Sequence, residues 1–336
     1  MPKNCIFTFD YELFLGEKSG TVNDCIIHPT NKLLEILKRY NVNGVFFVDT
    51  IYLIRLKKIS KININAKIDY ENICNQLKEL SNNNQYIFPH LHPHWLDASY
   101  QQQTNTWSLT NTSKYRVEVL EDEIIDQLFN DSINLLATIT GTNKNEIDGY
   151  RAGGWSIQPF IKFKKPFIKH NIQYEFSAIP GKSITSDTLL YNFETAPTKN
   201  KYHFEDDICT EVEKGSFIQI PISAYPLNKL FIKLGAYYNI FKNKIFKIQH
   251  KGSTVKTIVY NSKDIYETKS LKRFVAQFEQ LNFLKFIAML FLYKKNKFLH
   301  TVSHPKLMTN WDLFYLKIFL FIDKLIGKAN TDFRKI

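Results

Sequence analysis

The chain is 336 residues long, 44% apolar and 23% charged, a balance that excludes a disordered or fibrous protein and supplies core for one large domain or two ordinary ones. Its formal net charge is +12 and its pI is near 9.2, which suits an anionic polymer, nucleic acid or a membrane surface. No zinc-finger spacing and no RNA-recognition strand accompanies the charge, so no nucleic acid partner is expected and a general lysine bias accounts for it.

The first stretch, NCIFTFDYELF (4–14), has the composition of a buried strand. An aspartate inside its apolar run and the lack of a small-residue cleavage site distinguish it from a signal peptide. HPTNKLLEILKRYNV (28–42) places Leu33, Leu34, Leu37 and Tyr40 at helical spacing. NGVFFVDTIYL reads as a strand entering a helix, YENICNQLKELSNNN as an amphipathic helix with an Asn-rich stop, and QYIFPHLH as the next strand. A long helix is predicted across KYRVEVLEDEIIDQLFNDSINLLATIT, then strands at EIDGYRAGGW, FIQIPISAY (217–225) and FLHTVSHPKLM, and a last helix at WDLFYLKIFLFIDKLIG. Strands alternating with helices predict a parallel α/β architecture, a barrel or an open doubly wound sheet. With no linker-like composition and no repeat, a single domain over 1–336 is expected, with insertions around 178–272.

Four cysteines, Cys5, Cys25, Cys74 and Cys209, lack C-x-x-C spacing and read as reduced thiols. The longest uncharged apolar run, from Phe286 to Tyr293, is far short of the roughly 20 residues that span a bilayer. A soluble, cytoplasmic protein is the expectation.

In parallel α/β folds chemistry collects at the carboxyl ends of the strands, and the polar outliers of this chain fall there. Asp10 and Glu12 are two apart and share a face of a strand; two such carboxylates in a low-dielectric site need a cation or an arginine. HLHPHW carries three of the nine histidines within five residues, His90, His92 and His94. His90 and His94 share a helical face, whereas on a strand all three point one way, and imidazoles beside a carboxylate suit Zn²⁺ or a similar divalent ion. Arg151, before Gly153 and Gly154, is placed to hold a carboxylate ionised, and His304 to give a proton to a leaving amine.

The order TFDYE, HLHPHW, YRAGGW, SHPK resembles the polysaccharide deacetylase family, carbohydrate esterase family 4, in its branch associated with surface-polysaccharide and lipopolysaccharide synthesis. The motifs span residues 5 to 306. The resemblance implies a distorted (β/α) barrel and a metal-dependent hydrolase, with zinc or cobalt as cofactor, removing an acetyl group from an N-acetylated sugar that is lipid- or nucleotide-linked. Carried over, Asp10 is the base, Glu12, His90 and His94 are the metal ligands, Arg151 holds the base and His304 is the acid. His92 remains an alternative ligand and His300 an alternative acid. Trp95, Gly153, Gly154 and Trp155 would meet substrate. Glu12 stands one place beyond the family's usual adjacent carboxylate, and Gly153-Gly154 replaces a proline. Two other readings are a different metal-dependent amidase on the same fold and a catalytically silent carbohydrate-binding relative.

From Lys229 to Lys251 six lysines and no acids interleave with aromatics. Such a stretch either forms a solvated helix face or lies on an anionic membrane, which would hold the protein at the membrane's inner surface.

Overall fold

The computed structural model describes residues 3–15, 19–109, 111, 114–186, 189–226 and 273–336. The lysine-rich stretch at 229–251 and much of the expected insertion region lie outside these residues. The core strands are β1 (Asn4–Tyr11), β2 (Gly44–Asp49), β3 (Tyr86–Leu91), β6 (Gly149–Ala152), β7 (Tyr174–Glu175), β11 (Phe217–Gln219) and β14 (Phe298–Ser303). Shorter strands form the additions: β4 (Ser99–Gln101) with β5 (Thr106–Ser108), β8 (Ser183–Thr185) with β9 (Leu190–Asn192), β10 (Tyr202–Phe204) on β11, and β12 (Ala224–Pro226) with β13 (Arg273–Val275). The helices are α1 (His28–Tyr40), α2 (Thr50–Ile59), α3 (Ile64–Asn82), α4 (Asp122–Thr140), α5 (Ile161–Lys169), α6 (Phe283–Asn296) and α7 (Asn310–Leu325).

The main sheet runs β10-β11-β7-β6-β3-β2-β1-β14. Every neighbouring pair is parallel except β10 with β11. Beyond β11 the backbone still bonds to the β7 side, Ile222 N–H to the Ala178 carbonyl, and then reaches the opposite edge, where Ser223 N–H donates to the His300 carbonyl at 3.0 Å. Ala276 continues the closure by accepting from Val302 N–H. The sheet therefore curls and its ends meet through irregular hydrogen bonds, which makes it a distorted α/β barrel, as expected.

Alternation along each strand sorts the side chains. On β6, Tyr150 faces outward against Phe129 of α4 (ring centroids 4.9 Å apart), while Arg151 points into the barrel and lies 4.3 Å over the ring of Phe47. The interior holds polar side chains, with Thr8, Arg151 and His300 all fully buried; Glu175, the register partner of Tyr150, and Gln219 are buried on the outer face of the sheet.

Several elements differ from expectation, among them helix α3, which begins at Ile64 rather than Tyr70, and helix α5, which was not expected. The helix predicted from Lys114 begins only at Asp122, after a short turn at Val117–Val119. Helix α6 forms over the apolar run that gave no amphipathic signal, because its inner side packs on β14 and α7. No helix among the described residues is long and apolar enough to cross a membrane.

Candidate functional site

Because the core strands are parallel, their carboxyl ends lie at one mouth of the barrel. Asp10 lies one residue before the end of β1, Asp49 ends β2, His90 lies on β3, Arg151 on β6, and His304 follows β14. His90 is the register partner of both Asp49 and Arg151, so the ends converge.

Arg151 organises the floor. Its Nη1 donates to Asp10 Oδ1 at 2.6 Å, its Nη2 to Thr8 Oγ1 at 2.6 Å and its Nε to the Phe176 carbonyl at 3.2 Å. Burial works to raise the Asp10 pKa, but the guanidinium, with His90 and His304, brings it below the usual carboxylate value. The other Asp10 oxygen, Oδ2, is 3.4 Å from His304 Nε2. Asp10 thus stands between a fixed cation and an imidazole, with one oxygen anchored and the other facing the cleft.

His304 Nδ1 is 2.8 Å from Glu279 Oε1. Desolvation lowers the His304 pKa, and the Glu279 carboxylate more than reverses this, leaving it raised. Glu279 was not found by sequence reading: it lies 25 residues before its partner, in a segment with no motif.

His300, the alternative acid, lies deeper. Its Nδ1 donates to the Pro221 carbonyl (3.0 Å) and its Nε2 is 3.3 Å from both Thr8 Oγ1 and Arg151 Nη2. Burial pushes its pKa down to about 3, so it is a neutral brace behind Arg151, away from the cleft.

The three histidines separate. Glu12, His90 and His92 bring one ligand atom each within 4.8 Å of one another, and all three are buried. His92 Nε2 is 2.8 Å and His90 Nε2 3.5 Å from Glu12 Oε2. Beyond these two imidazole nitrogens that oxygen has no hydrogen-bonding neighbour among the described residues. His90 Nδ1 is 2.8 Å from the Arg151 carbonyl, which fixes its proton there and turns the lone pair of Nε2 toward Glu12. Glu12 Oε1 accepts from Lys306 Nζ at 2.9 Å. Against its burial, Lys306 and then His92 hold the Glu12 carboxyl well below the ordinary range. A buried carboxylate oxygen whose only polar neighbours are two imidazole nitrogens is the donor set a divalent cation fits.

His94 stands outside this cluster, which corrects its assignment as the second histidine ligand. Backbone geometry gives the reason. The chain is still extended at His92 (φ −115°, ψ 87°), so residues 90 and 92 share a face, and Pro93 then opens the turn Pro93–Asp97 that swings His94 aside. His94 stacks on Tyr115 at 5.2 Å and 10°. Trp95 is corrected as well. It is wholly buried, packs against Tyr52 at 4.8 Å and Trp107 at 5.6 Å, and donates its indole N–H to Asp49, so no sugar reaches it.

Trp155 does line the cleft, with Phe14, Leu15, Tyr115 and Leu307 around a floor of Asp10, Glu12, His90, His92, His304 and Lys306. Gly153 and Gly154 make the turn beneath it. A Cβ on Gly153 would lie 2.4 Å from the Leu91 carbonyl and 2.8 Å from the His92 ring, and Gly154 has φ +60°. Both positions require glycine, one for close approach and one for its backbone conformation.

Fold and site together define an α/β barrel whose mouth brings a carboxylate, Asp10, to 3.4 Å from an imidazole, His304, beside a cluster able to hold a metal ion. No protein-family model matches the chain, and no curated protein matches it. Among solved structures it is similar to a protein assigned as a polysaccharide deacetylase from Mycobacterium smegmatis, at 12% identity over 98% of this chain and 88% of that one, with a TM-score of 0.47. A second, from Pseudomonas aeruginosa PAO1 and assigned likewise, shows 11% identity over 99% and 88%, with a TM-score of 0.47. A family 4 acetyl xylan esterase from Clostridium thermocellum, in complex with a cobalt ion, shows 15% identity over 53% and 60%, with a TM-score of 0.29.

Proposed function

We propose that the chain is a metal-dependent deacetylase of the polysaccharide deacetylase family, removing an N-acetyl group from a sugar used in surface-polysaccharide or lipopolysaccharide synthesis. The observation that carries the reading is Asp10, clamped by Arg151 on one oxygen and facing His304 with the other, beside the Glu12–His90–His92 cluster. Glu12, His90 and His92 would hold the ion, with zinc or cobalt suiting one carboxylate and two imidazoles. When bound, such an ion polarises an acetyl carbonyl and lowers the pKa of water.

The chain's own residues supply the remaining steps. Arg151 keeps Asp10 ionised, so its Oδ2 accepts a proton from a water molecule in the cleft. The Gly153–Gly154 turn offers backbone N–H groups for the developing oxyanion; Ala152 N–H is already committed to Ser177 Oγ at 2.9 Å. His304, kept protonated by Glu279, gives its proton to the departing sugar nitrogen. Trp155 and Tyr115 wall the cleft where a pyranose ring would stack.

The test is acetate release from N-acetylated oligosaccharides and nucleotide-linked acetamido sugars by the zinc- or cobalt-loaded protein. Release that Asp10→Asn lowers by about two to four orders of magnitude supports the reading. Sugar binding without acetate release from any of them would make the chain a silent relative, and hydrolysis of simple amides in preference to acetamido sugars would make it a different amidase.

A further inference from the structure

Helices α6 and α7 lie side by side on the outside of the barrel, flanking β14. Phe286 meets Tyr315 at 4.9 Å and Tyr293 meets Phe319 at 5.4 Å, and the Tyr293 hydroxyl donates to Asp323. These contacts account for the inner sides of both helices.

On the outer sides Phe314 stacks on Trp311 of its own helix at 5.3 Å, and among the described residues no ring contact joins these sides to another element. On α6, Phe283 is 52% and Phe291 68% exposed; on α7, Phe314 is 47%, Phe321 53% and Leu325 69% exposed. The α7 positions recur at helical spacing and form one stripe. Large apolar side chains exposed on two adjacent helices form a patch of the kind that marks an interaction surface.

Charge identifies the partner. Between Gln280 and Thr331 the sequence has only two acids, Asp312 and Asp323, and both are buried. Asp312 caps α7 at Thr309, and Asp323 accepts from Tyr293 and from Ala329 N–H. The exposed charges on the two helices are Lys294, Lys295, Lys317 and Lys324. A second copy of the chain would set these lysines against their own kind. Protein interfaces are depleted in lysine, whereas lysine is the only exposed charge on these helices. Phenylalanine and leucine flanked only by lysine match the boundary between acyl chains and anionic headgroups.

We propose that the α6–α7 face docks the protein on an anionic lipid bilayer, the aromatic rings entering the acyl boundary and the lysine ammoniums reaching headgroup phosphates. The contact stands apart from the deacetylase reading and needs no residue of the cleft.

The experiment is co-sedimentation of the full chain with phosphatidylcholine vesicles, with and without phosphatidylglycerol, at low and high salt. Binding is expected only to the phosphatidylglycerol vesicles and is expected to fall as salt rises. Phe291→Ser with Phe321→Ser should weaken it by about tenfold or more, and Lys317→Glu with Lys324→Glu by a similar factor. Phe291→Leu with Phe321→Leu keeps the apolar area and should bind like wild type, which separates loss of the contact from loss of folding. Absence of binding at low salt would overturn the proposal, as would serine variants that bind like wild type. A dimer in sedimentation equilibrium that the serine variants dissociate, with no lipid binding, would assign the face to a second copy instead.

Discussion

At the scale of single residues the site depends on a few side chains whose free atoms are fixed by what their other atoms do. His90 is turned by the Arg151 carbonyl, Asp10 by the Arg151 guanidinium, His304 by Glu279. The last of these gives a direct prediction. Removing the carboxylate that raises the His304 pKa makes the imidazole lose its proton at lower pH, so Glu279→Gln should shift the alkaline limb of kcat to lower pH. It should also reduce kcat by about tenfold or more. A pH–rate profile checks both; an unmoved alkaline limb would show that Glu279 does not act through His304. Asp10, Arg151 and His304 were legible in the sequence because each is a polar residue at the end of an apolar strand. Glu279 was not, because its contact with His304 is made by the fold and leaves no spacing to read. Lys306 stood in a motif, SHPK, but only the structure shows its ammonium on Glu12.

At the scale of elements, the decisive feature is where β3 stops. The histidine spacing allowed two arrangements, alternate residues on a strand or every fourth on a helix, and the sequence contains signals for both. Extended backbone as far as His92 and a turn from Pro93 pair His90 with His92. The turn after β6 presses on this arrangement, since Gly153 lies against both Leu91 and the His92 ring. Gly153→Ala is therefore expected to cost about 1–3 kcal/mol of stability and to weaken metal binding by displacing His92. Thermal unfolding and zinc titration of this variant measure the two effects; full affinity with unchanged stability would refute the packing argument. Helix α6 shows the opposite limit of sequence reading. It is apolar on both sides, so no periodicity announces it, and only the packing on β14 and α7 defines which side is inner.

At the scale of the whole molecule, alternating strands and helices made the parallel α/β architecture legible, the family resemblance alone favoured a barrel over an open sheet, and the contacts that close it left no signal in the sequence. Hydrogen bonds from Ser223 N–H to His300 and from Val302 N–H to the Ala276 carbonyl join segments far apart in sequence. A carboxyl buried on the outer face of the sheet has a consequence for stability. Glu175 is fully buried, accepts from Ser177 N–H at 2.8 Å and has its carboxyl pushed up by burial to about 7. An acid with a folded pKa above its ordinary value holds its proton more tightly in the folded chain. Stability therefore falls as pH rises from about 4.5 to about 7, by roughly 3 kcal/mol, and levels off above that. Glu175→Gln removes this titration, so its Tm relative to wild type should be higher at about pH 8 than at about pH 4. An equal difference at both pH values would contradict the assignment.

The central claim is that Glu12, His90 and His92 form a metal site from which His94 is excluded. The most direct measurement is the metal content of wild type, His92→Phe and His94→Phe after equilibration with micromolar zinc. Phenylalanine keeps the ring volume and removes only the nitrogens. The account predicts about one ion per chain in wild type and His94→Phe, and none in His92→Phe. An ion lost from His94→Phe and retained by His92→Phe, or no ion in wild type, would contradict it.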